Sequence, residues 1–337
     1  MKRANLTSIA VVLVFSLLVS CSLIEKPKIG VLFPHLQSDR NKREKEYFTQ
    51  KIQELGGEAI IASAEYDDKV QISQADDMIQ KGVKVIIVSS VNFNSAAAIV
   101  RNAHRHGVKV LAYDRIIKNC DLDFYISFNN VKVGELMAQY VTKLKPEGKY
   151  MLLGGDKADH NAIWIKEGQH KELDPFVKSG KIKVVYDSFL ESWSAENAQS
   201  ETSKYFDLSL NDAPDVILSS GDGVATGVIE ALKAHGLNGK ILVTGQDASL
   251  AACRNIVKGD QTLTIYKPFK GLAIKAAELG MLLAKGEKIT ETTTTIWNGA
   301  INVPALLFEP KLVDKNNLKS TVIADGFQSE KDVYGNN

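Results

Sequence analysis

Cysteine is scarce, with three residues in 337, and none of them forms a Cys-x-x-Cys pair. The six histidines include no His-Glu-x-x-His pair, so metal-ligand spacing is missing and no metal or cofactor is expected. Charge of one sign is also missing. Forty-one basic residues face forty acidic ones, for a net charge of +1. No global field draws nucleic acid or an acidic partner, and no nucleic-acid partner is expected. Aromatics are 7% and prolines eight, and no Pro- or Ser-rich linker divides the chain. Nor is there a Gly-x-Ser-x-Gly elbow, a Gly-x-x-x-x-Gly-Lys loop or a Gly-x-Gly-x-x-Gly fingerprint; Gly154-Gly155-Asp156 comes nearest and lacks the spacing. Binding without chemistry is the expectation.

The start of the chain does not read as fold. Met1 to Arg3 is charged, and Leu6 to Val19 is apolar but shorter than the ~20 residues of a spanning helix. Residues 1–20 therefore read as a signal peptide. Leu18-Val-Ser-Cys21 resembles the lipobox of bacterial lipoproteins, with Cys21 as the acylated first mature residue. Such an anchor would hold an extracytoplasmic domain at a membrane, each buried methylene adding ~0.8 kcal/mol. Cys120 and Cys253 fall in separate units, and a disulfide needs Cα atoms within ~7 Å. They read as unpaired, buried thiols.

A chain of this length favours two domains. From Lys28 on, short apolar runs alternate with amphipathic helices. Ile29–Phe33, Ala59–Ala62 and Val83–Val88 read as strands. So do the runs ending at Tyr113 and Phe128, and helices are expected over Lys42–Leu55 and about Val70–Gln80, with a third capped by Asn94-Ser95 and running to His106. After Asn130 the alternation starts again and runs to the strand Thr262–Tyr266. The pattern predicts βαβ units, hence an α/β fold in two lobes, each a parallel sheet flanked by helices. The long helix Lys270–Leu283 is expected to return to the first lobe. The stretch Val303–Val313, with Pro304 and Pro310, is assigned to the margin of the second. Lobe 1 is then 28–129 plus 267–297 and lobe 2 is 130–266 plus 298–327, with hinge crossings between them and a frayed tail at 328–337.

Polar and aromatic residues recur where strands end, which is where a parallel sheet opens to its ligands. Arg40 follows the first strand beside Asp39. Asp114 and Arg115 follow the fourth, pairing an acceptor-only with a donor-only side chain that suits a neutral ligand with several hydroxyls. Asn161 beside His160, then Trp193, Asp222, Asp247 beside Gln246, and Lys267 occupy matching places in the second half.

The segments Val110-Leu-Ala-Tyr-Asp-Arg115, Asp123-Phe-Tyr-Ile-Ser-Phe-Asn129, Val133-Gly-Glu-Leu136, Gly245-Gln-Asp-Ala248 and Tyr266-Lys-Pro268 are similar to those of the D-xylose-binding periplasmic proteins. Ser179 to Val185, Asp314-Lys-Asn-Asn317, Val322 and Asp325-Gly-Phe327 extend the likeness over Lys28 to Phe327. The resemblance implies a type I periplasmic-binding-protein fold. It also implies a monosaccharide ligand, D-xylose or a relative, delivered by hinge closure of a monomer. The partner it implies is the permease of an ABC importer, or alternatively a membrane sensor or chemoreceptor. It further implies that Arg40, Asp114, Arg115, Asn161, Trp193, Asp222, Asp247 and Lys267 contact the sugar. Two positions depart from it. Asn41 stands where the family has a tryptophan, so that one aromatic face is missing unless Phe33 or His35 replaces it. Gly221 stands where the family has an asparagine. These departures bear on which sugar is bound, and a furanosyl signal molecule is the alternative ligand.

Overall fold

The computed structural model describes residues 26–209, 212–292 and 294–335. The expected signal peptide and the acylated Cys21 lie outside the described residues. A seven-stranded sheet forms the first layer, in the order β11-β12-β5-β4-β3-β1-β2. Its strands are β1 (Lys28–Phe33), β2 (Glu58–Ser63), β3 (Val85–Val88), β4 (Lys109–Tyr113), β5 (Phe124–Phe128), β11 (Thr294–Trp297) and β12 (Asn302–Phe308). All pair in parallel except β11, which runs antiparallel along β12. A second sheet, in the order β7-β6-β8-β9, contains β6 (Gly148–Asp156), β7 (Ile182–Leu190), β8 (Val216–Ser219) and β9 (Leu242–Val243), again parallel.

Both faces of each sheet are covered, which explains strands that are apolar without interruption. Strand β3 is buried at every position, and its side chains alternate between two cores. Val85 and Ile87 join Phe48 and Ile52 of α1 (Asp39–Glu54) and Leu272, Ala276 and Leu279 of α9 (Phe269–Ala284). Ile86 and Val88 pack instead with Ala75 and Met78 of α2 (Asp68–Gln80) and with Ile99 and Ala103 of α3 (Ala97–Arg105). In the second sheet Met151, Leu153 and Ile217 face α6 (Ala195–Ser209) and α7 (Asp222–Ala234). Tyr150, Leu152 and Val216 face α4 (Asn130–Leu144) and α5 (His160–Lys178). Cys120 and Cys253 are buried and unpaired, and burial raises each thiol to a pKa of about 12.

The described chain crosses between the two halves after β5, after β10 (Thr264–Tyr266) and after β12, where it enters β13 (Lys311–Val313), which with β10 forms a separate two-stranded sheet in the second half. The first and third crossings are tied by the Asn129 N–H, which donates to the Phe308 carbonyl at 3.0 Å. Two boundary expectations need correction. Residues 302–308 belong to the first sheet, because Ala305–Phe308 pairs with Tyr125–Phe128 of β5; only Lys311–Val313 joins the second half, antiparallel to β10. The tail does not fray over its described part. Helix α10 (Glu330–Tyr334) is capped by Ser329 and buries Val333 beside Cys253, Tyr266 and Val322. Both errors arise because a short apolar segment carries no mark of which sheet edge or core it will meet.

Helices α4 and α5 meet through glycine. A Cβ on Gly168 would lie 2.0 Å from the Val131 carbonyl oxygen, and one on Gly134 would lie 1.9 Å from that of Ile165. Backbone cannot yield as a side chain does, so Gly168→Ala forces the helices apart. The expected cost is about 1–3 kcal/mol, read as a lower urea midpoint at unchanged slope.

Candidate ligand-binding site

The carboxyl ends of the two sheets face one gap. In each sheet the chain reverses its order beside the first strand laid down, at β1 between β2 and β3 and at β6 between β7 and β8. Loops leaving neighbouring strands part at such points and leave a crevice. There a cavity of about 350 Å³ is lined by all eight residues singled out above, Arg40, Asp114, Arg115, Asn161, Trp193, Asp222, Asp247 and Lys267.

Arg40 comes from helix α1, which begins at Asp39 rather than Lys42 because Ser38 caps it, accepting from the Asn41 N–H. A cation in the first turn of a helix opposes the dipole, so local structure does not favour it. Three carboxylates do. Arg40 Nε lies 3.0 Å from Glu44 Oε1, Nη2 3.1 Å from Asp114 Oδ2, and Nη1 3.9 Å from Asp247 Oδ1. Its guanidinium also sits 3.5 Å above the centre of the Phe269 ring. Burial alone would lower its pKa, but Asp114, Glu44 and Asp247 hold it well above the usual value.

Asp114 has a left-handed backbone, φ 62°, which carboxylate and amide residues tolerate better than most. The turn sends its carbonyl inward. There it accepts from Ser127 Oγ at 2.7 Å, Tyr125 Oη at 3.1 Å and, across the gap, Asn161 Nδ2 at 3.1 Å. Burial pushes its carboxyl pKa up, but Arg40, Lys267 and Arg115 outweigh that and keep it below the ordinary range. Its Oδ2 serves Arg40, while Oδ1 is buried with no hydrogen-bond partner among the described residues. Buried acceptors are rarely left so. Asp247 also has a positive φ, 96°, and lies 3.0 Å from the Lys267 ammonium in the second crossing.

Arg115 reaches over the gap. Its Nε lies 3.0 Å from Asp159 Oδ2, and its Nη1 donates to the Ser90 carbonyl. Asp159 caps helix α5 and accepts from the Asn161 N–H and from Trp193 Nε1 at 3.2 Å. The Trp193 ring lies on glycine. A Cβ at Gly155 would come within 2.2 Å of it and one at Gly221 within 3.2 Å, so an asparagine at 221 would crowd the ring.

Not every expectation takes the expected form. Asp222 lines the cavity, but its carboxylate is committed to the protein. Oδ1 accepts from Gln261 and Thr264, and Oδ2 from the Ser249 N–H. Burial, then the charge on Asp247, raises its pKa to about 7 despite those donors. Of the two candidates for a replacement aromatic face, Phe33 is buried in the core against Phe48, whereas His35 lines the cavity. His160 packs edge-on between Phe93 and Trp164.

Glu44, Asp159 and Tyr66 escape a reading of the sequence. Glu44 could have been found, four residues after Arg40 on one helix face. Asp159 could too, as a capping residue before a helix. Tyr66 carries no local signal.

A model of the periplasmic binding protein domain matches residues 29–288. The D-xylose-binding periplasmic protein of Haemophilus influenzae is 44% identical over 333 residues, covering 99% of this chain and 99% of that protein. The protein of the same description from Escherichia coli is 42% identical over 306 residues, covering 91% and 92%. Among solved structures, an ABC transporter solute binding protein from Clostridium phytofermentans with bound β-D-glucose superposes with a TM-score of 0.84. That pair is 28% identical, covering 91% of this chain and 99% of the other. Likeness over almost the full length, in both sequence and fold, settles the assignment: the chain belongs to the periplasmic binding protein family, alongside the D-xylose-binding members.

Proposed function

We propose that the protein is an extracytoplasmic receptor for a monosaccharide, D-xylose or a related sugar, which it hands unchanged to an ABC importer. The observation that carries this reading is the unpaired Asp114 Oδ1 in a cavity lined by carboxylates and cations from both sheets. An acceptor that is buried and ionised calls for a donor, and a sugar hydroxyl is one. Arg40 lies against Glu44, Asp114 and Asp247, Arg115 against Asp159, and Lys267 against Asp247, so none of the three cations is free for an anion and a neutral polyhydroxyl ligand fits better. Charge-assisted bonds to hydroxyls are about twice as strong as neutral ones. Trp193 would cover a C–H face of the ring. Asp222 serves as a support for the back wall.

The likeness to D-xylose-binding relatives supports the pentose. Arg115–Asp159 and Asn161–Asp114 span the gap, and the Phe93 N–H donates to the Ala158 carbonyl at 3.1 Å. A sugar gripping both lobes would favour this closed arrangement over an open one, and a permease could read the difference. The same receptor reporting to a membrane sensor is the second reading of the partner. Anchoring by an acylated Cys21 remains part of the proposal. Among the described residues no helix is long and apolar enough to cross a membrane.

Asp114→Asn keeps the shape and removes the charge. D-Xylose affinity should fall about 10- to 100-fold by calorimetry, the equivalent of one charge-assisted bond, and unchanged affinity would remove the site. Gly155→Ala should dislodge Trp193 and abolish the change in tryptophan emission on adding sugar. Asp222 predicts a pH effect on the sugar-free protein. Its folded pKa, about 7, exceeds the ordinary 3.8. Its contribution to stability is therefore full below about pH 4 and lost as pH rises through 7. Denaturation of Asp222→Asn across that window should show a smaller decline than the wild type.

A further inference from the structure

The first lobe brings its own aromatic pair to the cavity. His35, in the loop after β1, and Tyr66, in the loop after β2, stack with centroids 4.3 Å apart and planes 19° from parallel. Both line the inner cavity. Tyr66 and Trp193 also border a second, outer groove of about 600 Å³, so the two rings stand where inner cavity and outer groove meet.

The pair is held in place from both sides. Asn41 Nδ2 donates to the His35 carbonyl at 2.8 Å, and the Tyr66 N–H donates to the Pro34 carbonyl at 2.8 Å, tying the two loops together. Tyr66 adopts a left-handed backbone, φ 67°, a conformation costly for a bulky side chain. The residue is 47% exposed, so core packing does not account for that cost. Burial, and then the Arg115 charge, hold the His35 pKa down at about 4. The imidazole is therefore neutral at ordinary pH and sits beside Arg115 and Arg40 without repulsion.

We propose that Tyr66, backed by His35, is the second aromatic face of the site, covering from the first lobe the side of the sugar ring that Trp193 leaves open. The inference rests on the monosaccharide reading. It narrows the ligand to a pyranose whose hydroxyls are mostly equatorial, since only such a ring presents two flat C–H faces to two aromatic planes. Tyr66 also divides the inner cavity from the outer groove and so limits ligand width.

Calorimetry on the purified chain with D-xylose, D-glucose, D-ribose and L-arabinose tests it, together with the variants Tyr66→Gly, Tyr66→Phe and Trp193→Ala. Tyr66→Gly should weaken D-xylose binding about ten-fold or more while Tyr66→Phe stays within about two-fold, because the ring and not the hydroxyl supplies the contact. Glycine relieves the positive φ, so the melting temperature of sugar-free Tyr66→Gly should hold or rise. That combination separates a ligand contact from a structural role. Undiminished binding by Tyr66→Gly, with Trp193→Ala impaired, would overturn this inference and leave the receptor reading standing. Failure of the wild-type chain to bind any of the four sugars would overturn both.

Discussion

The site depends on a guanidinium placed at the wrong end of a helix. Arg40 occupies the first turn of α1, where the dipole opposes it, and sits there largely buried between Glu44, Asp114 and Asp247. An arrangement of this kind persists only as a unit, since removing one partner leaves a buried charge uncompensated. Its partners come from α1, from the end of β4 and from the loop after β9. The network therefore ties the first lobe to the second through charge as well as through the crossings.

The two carboxylates that meet Arg40 across chain segments, Asp114 and Asp247, both have a positive φ. Each follows directly on a strand end or on a bridge to one. The same unusual backbone therefore stands at a strand's carboxyl end in both halves, where the gap opens. Around them the protein makes room by subtraction. Glycines 155 and 221 let the Trp193 ring lie against backbone, and Asp159 fixes that ring while also engaging Arg115. One carboxylate thereby couples an aromatic wall to a cation of the opposite lobe.

Asp222 shows the limit of reading roles from position. It follows strand β8 as Asp114 follows β4, but its oxygens meet Gln261, Thr264 and the Ser249 N–H. Placement at a strand end puts a residue near the crevice. Only the neighbours decide whether its polar atoms face the ligand or the protein.

Sequence alone determined the alternation of strands and helices, the parallel sheets covered on both faces, and the residues at the carboxyl ends of the strands. Those features are local: periodicity, capping and turn chemistry act within a few residues and leave a readable trace. Tertiary structure decided that Asn302–Phe308 joins the first sheet, that the tail docks beside Tyr266, and that Tyr66 reaches the cavity. Each of these is a contact between segments far apart in the chain, chosen by which surface was left to cover, and no spacing within either segment records it.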